Sequence, residues 1–390
     1  MQKLGTPSHF HVWSPEIFGF KGGIQVYSAF FLEALQKLYP QSQYDVFLKN
    51  DIRTTPEIPY LPETQFHFAG AWPLKIRTPV FATQIINKGF QQRPDLIIAT
   101  HLNFTVAAYR LKRLIGTPFW TIAYGMEAWD IKNAALKTTI HYADMILAIG
   151  SYTRDRLVQE QNLNPDRVVL LPCTFDPHRF RIAPKPRLLL TRYGLKPEQP
   201  VILTVARLIK SENYKGYDKI LQALPQIRQI IPNIHYIIVG KGDDRPRIEQ
   251  LIVKLGLQDC VTLAGFVPDE QLCDYYNLCD VFAMPSKKEG FGIVYLEALA
   301  CGKPVLAGNQ DGAVDALCHG ELGALVNPDN HREITEALIK IIQDNYPNTL
   351  MYQPEALRRQ VIDNFGFEHF QYILASHFDK YFQPIKRSSS

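Results

Sequence analysis

The sequence predicts an α/β protein built from two doubly wound parallel sheets. Three observations lead there: the length, a repeated alternation of short apolar runs with longer amphipathic ones, and one proline-rich interruption near the middle. The chain has 390 residues, too many for one ordinary core, so two domains are expected. Apolar residues make up 46% and charged residues 21%, the balance of a globular protein. No run of about 18 uncharged apolar residues occurs, so no membrane span is expected. Residues 1–13 lack the apolar core of a signal peptide. Six cysteines without a C-x-x-C pair read as small apolar fillers in a thiol-reducing cytoplasm. A net charge of +4 favours an anionic ligand or a membrane surface; it falls short of a nucleic-acid footprint, and no nucleic-acid partner is expected.

In the first half, residues 10–13 read as a strand and 19–23 as a glycine loop. Residues 24–39 read as a helix, with Ile24, Tyr27, Phe31, Leu35 and Leu38 on its apolar face. Strands are expected over 44–48, 65–69, 95–100, 119–124, 145–149 and 168–172. Helices are expected over 83–93, 102–115, 131–142 and 152–161, the last capped by Ser151. Residues 176–195, with Pro177, Pro184 and Pro186, read as a linker. The alternation then restarts, with strands over 201–206, 235–239, 261–266, 281–285 and 324–326. Helices are expected over 217–231, 245–255, 269–278 and 331–343, and again over 354–382. The expected domains are residues 1–180 and 181–365. A C-terminal helix within 366–390 is expected to return to the first domain.

One stretch organises the rest. Residues 289–311 form a strand–glycine loop–helix–strand unit, with Gly290 and Gly292 where the helix over 293–301 begins. Such a turn aims backbone N–H groups and the positive end of a helix dipole at whatever lies above it, which suits a phosphate. Glu289 in the loop and Glu297 in the helix flank it, so a ligand with hydroxyls on either side of a phosphate is indicated. Arg207 and Lys215 follow a buried strand and precede a helix, where two cations can neutralise a departing diphosphate. In doubly wound sheets ligands bind at the carboxyl ends of strands, and these loops, with Gly22–Gly23 and Gly125–Glu127, all follow strands.

The string Glu289, Gly290, Phe291, Gly292, Glu297, Ala298, Ala300, Gly302, Pro304, Val305 resembles the E-x7-E signature of glycosyltransferase family 4. The resemblance extends from about Gly22 to Leu338. It implies the GT-B fold: two Rossmann-like domains facing across a cleft, the first for the acceptor, the second for a nucleotide-sugar donor. It also implies a retaining enzyme that moves a sugar from a nucleotide-diphosphate donor to an acceptor hydroxyl. By the same resemblance Arg207 and Lys215–Gly216 hold the diphosphate. Gly22 and Gly23 approach it, and Glu289 holds sugar hydroxyls. Glu297 holds the ribose, with further donor contacts from Gly290, Phe291, Gly292 and Ile293. Gly240 and Arg245 fall near the nucleotide, and Phe266–Val267 near its base.

Tyr124-Gly125-Met126-Glu127 resembles the family's His-Gly-x-Glu segment, with Tyr124 standing where a sugar-contacting histidine is common. A phenol donates a hydrogen bond but is a poor base near neutral pH. Tyr124 and Glu127 are therefore candidate acceptor or sugar contacts. His101 is the nearest other histidine and reads as a strand-end residue. No third glycine completes a dinucleotide fingerprint at Gly240-Lys241-Gly242. No D-x-D pair ends a first-half strand, so metal-independent chemistry is expected, with no cofactor beyond the sugar-nucleotide substrate and no metal ligands. Asp280, Asp311 and Asp315 could be taken for metal ligands, and Asp243–Asp244 are adjacent rather than spaced to chelate.

Two alternatives stand beside the transferase: a sugar-nucleotide epimerase of similar architecture, and a sugar-nucleotide-binding protein without activity. The expected acceptor is a glycan, a lipid-linked sugar or a small molecule, in cell-surface polysaccharide or glycolipid synthesis. The expected location is the cytoplasm. Arg110, Lys112 and Arg113 offer a peripheral contact with an anionic membrane, weighed against a solvated helix face.

Overall fold

The computed structural model describes residues 7–19, 22–52 and 60–382. Phe20 and Lys21 of the expected glycine loop lie outside the described residues. The chain divides into two compact units: Met1–Thr174 with Phe367–Ser390, and Phe175–Gly366. The expected boundary after residue 180 thus falls inside the second unit.

The first unit alternates strands and helices in chain order. They are β1 (His9–Ser14), α1 (Gly23–Leu38), β2 (Gln43–Leu48), β3 (Gln65–Phe68), α2 (Leu74–Gln92) and β4 (Leu96–Ala99). There follow α3 (Thr105–Ile115), β5 (Phe119–Ala123), α4 (Ala134–Ile140), β6 (Met145–Ala148), α5 (Ser151–Gln161) and β7 (Val168–Leu170). The strands form one parallel sheet in the order β3-β2-β1-β4-β5-β6-β7. Every residue of β4, β5 and β6 is buried, as continuous apolar strands between two helical layers must be.

The second unit opens on α6 (Arg187–Tyr193), inside the expected linker, and continues with β8 (Val201–Val205), α7 (Tyr217–Ile230), β9 (His235–Val239) and α8 (Arg245–Lys254). Next come β10 (Val261–Gly265), α9 (Asp269–Leu278), β11 (Val281–Met284), α10 (Ile293–Ala300) and β12 (Val305–Gly308). It closes with α11 (Ala313–Ala316), β13 (Ala324–Val326), α12 (His331–Ile342) and α13 (Pro354–Phe365). Its parallel sheet runs β10-β9-β8-β11-β12-β13. A single bridge between Phe175 and Gly366 marks where the chain enters and leaves this unit.

The apolar tail reads in sequence as one helix, but it breaks at Gly366 into α13 and α14 (Phe367–Phe382), and α14 belongs to the first unit. Phe370, Leu374 and Phe378 recur at helical spacing on its buried face. The Phe378 ring lies 4.4 Å from Trp120 and 5.0 Å from Tyr39. Other boundaries moved for local reasons. Helix α2 starts at Leu74, earlier than expected, with Pro73 at its cap and Pro79 tolerated inside. Helix α4 starts after Asn133, whose side chain accepts the Leu136 N–H at 3.1 Å. Helix α5 begins at Ser151 itself, so Gly150 is the cap residue.

Candidate active site

Both sheets reverse strand order beside their central strand, and the loops leaving such a reversal open a crevice. In the second unit the reversal lies between β8 and β11. Arg207 and Lys215 follow β8, and Glu289 follows β11. The sequence therefore places both cations and the first acid of the signature on the two loops that diverge there.

The structure joins these loops directly. The Lys215 ammonium and the Glu289 carboxylate form an ion pair, with side chains only 14% and 17% exposed. The Lys287 N–H donates to the Tyr214 carbonyl at 3.0 Å, so backbone also ties one loop to the other. Gly216 explains how Lys215 gets so close. Its φ is 81°, a left-handed conformation, and a Cβ there would meet the Pro285 carbonyl oxygen at 2.3 Å. Gly292, with φ 92°, starts α10, and a Cβ there would strike the Tyr295 ring at 2.4 Å. Arg207 is more open. It pairs at 2.5 Å with Glu212 and its side chain is 52% exposed.

Beneath the Glu289 turn lies a residue that sequence reasoning weighed only as a metal ligand. Asp311, fully buried, accepts from Ser286 Oγ and from the Glu289 N–H, both at 2.7 Å, and from the Ala313 N–H at 3.0 Å. Burial is the main cause raising its pKa to about 6, against those three bonds. The Gly312 N–H returns a bond to the Glu289 carbonyl at 2.9 Å. Asp311 thus holds the signature loop in shape. Its signal in the sequence was an Asp-Gly pair after the strand that neighbours β11.

Glu297 is anchored separately. The buried Tyr276 hydroxyl of α9 donates to its Oε2 at 2.6 Å. Enclosure raises its pKa to about 7, with the Tyr276 bond opposing. The nucleotide-side loops also interlock: Leu208 N–H donates to the Lys241 carbonyl at 3.0 Å, and Lys210 N–H to Asp243 Oδ1 at 3.0 Å. A Cβ on Gly240 would meet the Ala206 carbonyl oxygen, so the loops after β8 and β9 touch. Phe266 is 62% exposed with Lys241 Nζ 4.7 Å above its ring, an open aromatic face beside a cation, while Val267 is buried. Arg245 is turned along α8 to Glu249 at 2.7 Å. Phe291 is buried against Phe365, at 5.5 Å between rings, so its side chain supports the turn from within.

In the first unit the candidates are placed differently. Gly22 caps α1 and its carbonyl accepts the Val26 N–H at 3.0 Å. Tyr124 is buried, its hydroxyl 3.3 Å from Ser28 Oγ and its ring edge-on to Tyr27 at 5.3 Å. Its phenol, expected as a sugar contact, is turned to Ser28 inside the unit. Glu127 folds back so that Oε1 accepts the Tyr124 N–H at 2.5 Å, and burial raises its pKa. His101, just beyond β4, accepts the Asn103 N–H on Nδ1 at 3.2 Å. Burial first, then Lys49, lowers its pKa to about 4, so it is a neutral imidazole.

Two Rossmann-like parallel-sheet units, the second with an amide turn and a lysine–glutamate pair at its strand reversal, define a protein of the GT-B class. Comparison with known proteins agrees. Residues 21–179 match the family model "Glycosyltransferase Family 4" and residues 190–361 match "Glycosyl transferases group 1". Each half of the chain thus matches a glycosyltransferase family model, the first half that of family 4. The chain is similar to the GDP-mannose-dependent alpha-(1-6)-phosphatidylinositol monomannoside mannosyltransferase of Mycolicibacterium smegmatis, 32% identical over 62% of this chain and 63% of that protein. It is also similar to the 2-deoxystreptamine glucosyltransferase of Streptomyces kanamyceticus, 26% identical over 65% and 63% of the two chains. The matched part thus spans less than two thirds of these relatives. The sucrose-phosphate synthase structure from Thermosynechococcus elongatus shares the fold, with TM-score 0.78, 21% identity, and 96% and 99% of the two chains covered. So does Anabaena HepE in complex with UDP-glucose, at TM-score 0.76 and 18% identity over 95% and 99%.

Proposed function

We propose that this protein transfers a sugar, with retention of configuration, from a nucleotide-diphosphate sugar to an acceptor hydroxyl. The observation that carries the reading is the Lys215–Glu289 ion pair at the β8/β11 reversal, held by the Asp311 clamp under an amide turn. Lys215 has three donors, so it can keep Glu289 and still meet a phosphate oxygen. Arg207 can do the same while paired with Glu212, because a guanidinium offers five. Together they offset the charge that develops on the departing diphosphate, where a bound divalent cation would otherwise serve.

In this mechanism the bond from the sugar's anomeric carbon to the phosphate oxygen breaks, and a bond to the acceptor oxygen forms on the same face. The acceptor's proton goes to the departing phosphate oxygen, which removes the need for a dedicated base. Glu289 accepts from sugar hydroxyls and favours the cationic character of the transferring carbon. Glu297 accepts from the ribose, and Phe266 offers its face to the base.

The acceptor in this reading is a lipid-linked sugar met at the inner face of a membrane, with the enzyme in the cytoplasm. Mycobacterial relatives are named for a phosphatidylinositol monomannoside, and an exposed apolar patch of the first unit fits such an acceptor. At the start of α2, Trp72, Leu74 and Ile76 are 48%, 79% and 43% exposed beside exposed Lys75. The cationic face expected on α3 is less available: Lys112 binds Asp144 at 2.7 Å and Arg113 the Tyr109 hydroxyl at 3.4 Å. No helix among the described residues is long and apolar enough to cross a membrane.

Thermal-shift titration with GDP-mannose, UDP-glucose and an ADP-sugar tests the donor claim, since a ligand bound only by the folded state raises the melting temperature. One of the three should stabilise the wild type and fail to stabilise Lys215→Ala. Equal stabilisation of both refutes the assignment. Product formed from donor alone, without acceptor, points instead to an epimerase.

A further inference from the structure

Three histidines of the first unit, His9, His11 and His67, gather where the proposed transfer chemistry has no use for them. His9 and His11 stand two apart on β1, so they share one face of the sheet. Asp45 on β2 is registered opposite His11, and His67 on β3 is registered opposite Phe47, two residues beyond Asp45. All four side chains therefore rise from the same face of three neighbouring strands. His9 stands at the start of β1, at the opposite end of the sheet from the loops carrying Gly22 and Tyr124. We propose that this cluster is a binding site for one transition-metal ion of the Zn2+ type, with His9, His11, His67 and Asp45 as ligands.

The donor set and its spacing support this. Three imidazoles and a carboxylate suit zinc and its neighbours rather than magnesium or calcium. His9 Nε2 lies 2.8 Å from one Asp45 oxygen, and His67 Nε2 lies 2.6 Å from the other. One ligand atom from each of His9, His11 and Asp45 falls within 4.8 Å of the others. A tetrahedral zinc site with bonds of about 2.0–2.1 Å spaces its ligand atoms about 3.3 Å apart. His9, His11 and Asp45 are the three already grouped, and His67, bonded to the other Asp45 oxygen, must turn to take the fourth position.

A plain hydrogen-bond network accounts for less. Asp45 is satisfied by His9, His67 and the Gln92 amide at the end of α2. His11 is fully buried, and neither ring nitrogen meets a partner at good hydrogen-bond geometry; the Gln92 side chain is the group close enough to serve one of them. Gln92 Oε1 itself also lacks a partner. An imidazole buried with its nitrogens poorly matched costs about 1–3 kcal/mol, and such a group in a folded protein calls for a reason. A metal bond to one nitrogen and Gln92 Oε1 on the other supplies it, in the arrangement by which an outer amide usually orients a metal-bound histidine. The C-terminal end of α2 adds partial negative charge over the cluster. Access also exists. A surface depression of about 660 Å3 is lined by His9 and Gln92 and by Gln43, Gln65, Glu63 and Asp95, so two carboxylates stand on the way in.

The test uses the full chain without a polyhistidine tag. It is stripped with a chelator, loaded with Zn2+ alone, dialysed, and assayed for metal by mass spectrometry. One Zn2+ per chain is expected, and Co2+ loading should give the visible bands of a tetrahedral nitrogen–oxygen site. His11→Gln and His67→Gln should each weaken Zn2+ binding by at least about tenfold, with circular dichroism confirming the fold. No retained Zn2+, or equal retention in both folded variants, overturns the proposal. Should the variants not fold, the wild-type Co2+ spectrum decides: tetrahedral bands support the site, and their absence overturns it.

Discussion

Replacing Asp311 by asparagine removes one charge and one accepting edge from beneath the Glu289 turn. In the native protein one Asp311 oxygen takes the Glu289 N–H and the Ser286 hydroxyl, and the other takes the Ala313 N–H. Whichever way the amide turns, one buried backbone N–H then faces an NH2 group, a loss of about 1–3 kcal/mol. The carboxylate, however, is ionised against burial. A pKa raised to about 6 means that above that pH the charge costs about 3 kcal/mol, which the neutral amide avoids. The two effects nearly cancel, so unfolding free energy should change by less than about 2 kcal/mol in either direction. Activity should not be spared. Either orientation of the amide removes one of the backbone bonds, from Glu289 or from Ala313, that hold the turn carrying Glu289, and a displacement of about 1 Å at a reacting centre lowers kcat on the order of 100-fold. The assay is initial-rate kinetics with the stabilising donor, beside a melting curve of the same preparation. The gap between variant and wild type should narrow below about pH 6, where Asp311 itself is protonated. A variant with wild-type kcat at pH 8 refutes the clamp.

Further outcomes follow from the same geometry. Lys215→Ala should lower kcat by roughly 100- to 1000-fold, the usual effect of removing one stabilising donor from a developing anion, while circular dichroism stays native. Glu297 has a pKa raised to about 7, so donor affinity should rise as pH increases through that value and the acid becomes a carboxylate. Glu297→Gln should flatten the profile, and Tyr276→Phe should move its midpoint upward. The same group stabilises the fold most below its unfolded pKa near 4.5 and loses that contribution as pH rises to about 7. Phe266→Ala should weaken donor binding by about 1–3 kcal/mol in calorimetry if the exposed ring stacks on the base.

Much of the second unit was legible because its strands are short and mostly apolar, several of them ending at a glycine. The strand over 235–239 has the same limits in sequence and structure, and β8 and β11 each end one residue earlier than expected. The Glu289 turn was legible too, since φ above zero at Gly292 and close approach at Gly216 leave residue-type signatures. What sequence could not supply was which way side chains turn. Tyr124 looks like a site residue by position, yet its ring completes a buried set with Tyr27 and Ser28 from α1. Asp311 is one aspartate among many until the register of β11 and β12 sets it under Glu289. The histidine cluster depends on the register of three strands, which no local pattern encodes.

The most direct test of the account is calorimetric titration of the wild type, Arg207→Ala, Lys215→Ala and Glu289→Gln with GDP and UDP. With the sugar absent, only the grip on the diphosphate is read. One nucleotide should bind the wild type, both cation variants should lose at least tenfold in affinity, about 1.4 kcal/mol, and Glu289→Gln should keep most of it. Undiminished binding by Lys215→Ala and Arg207→Ala would contradict the account at its root.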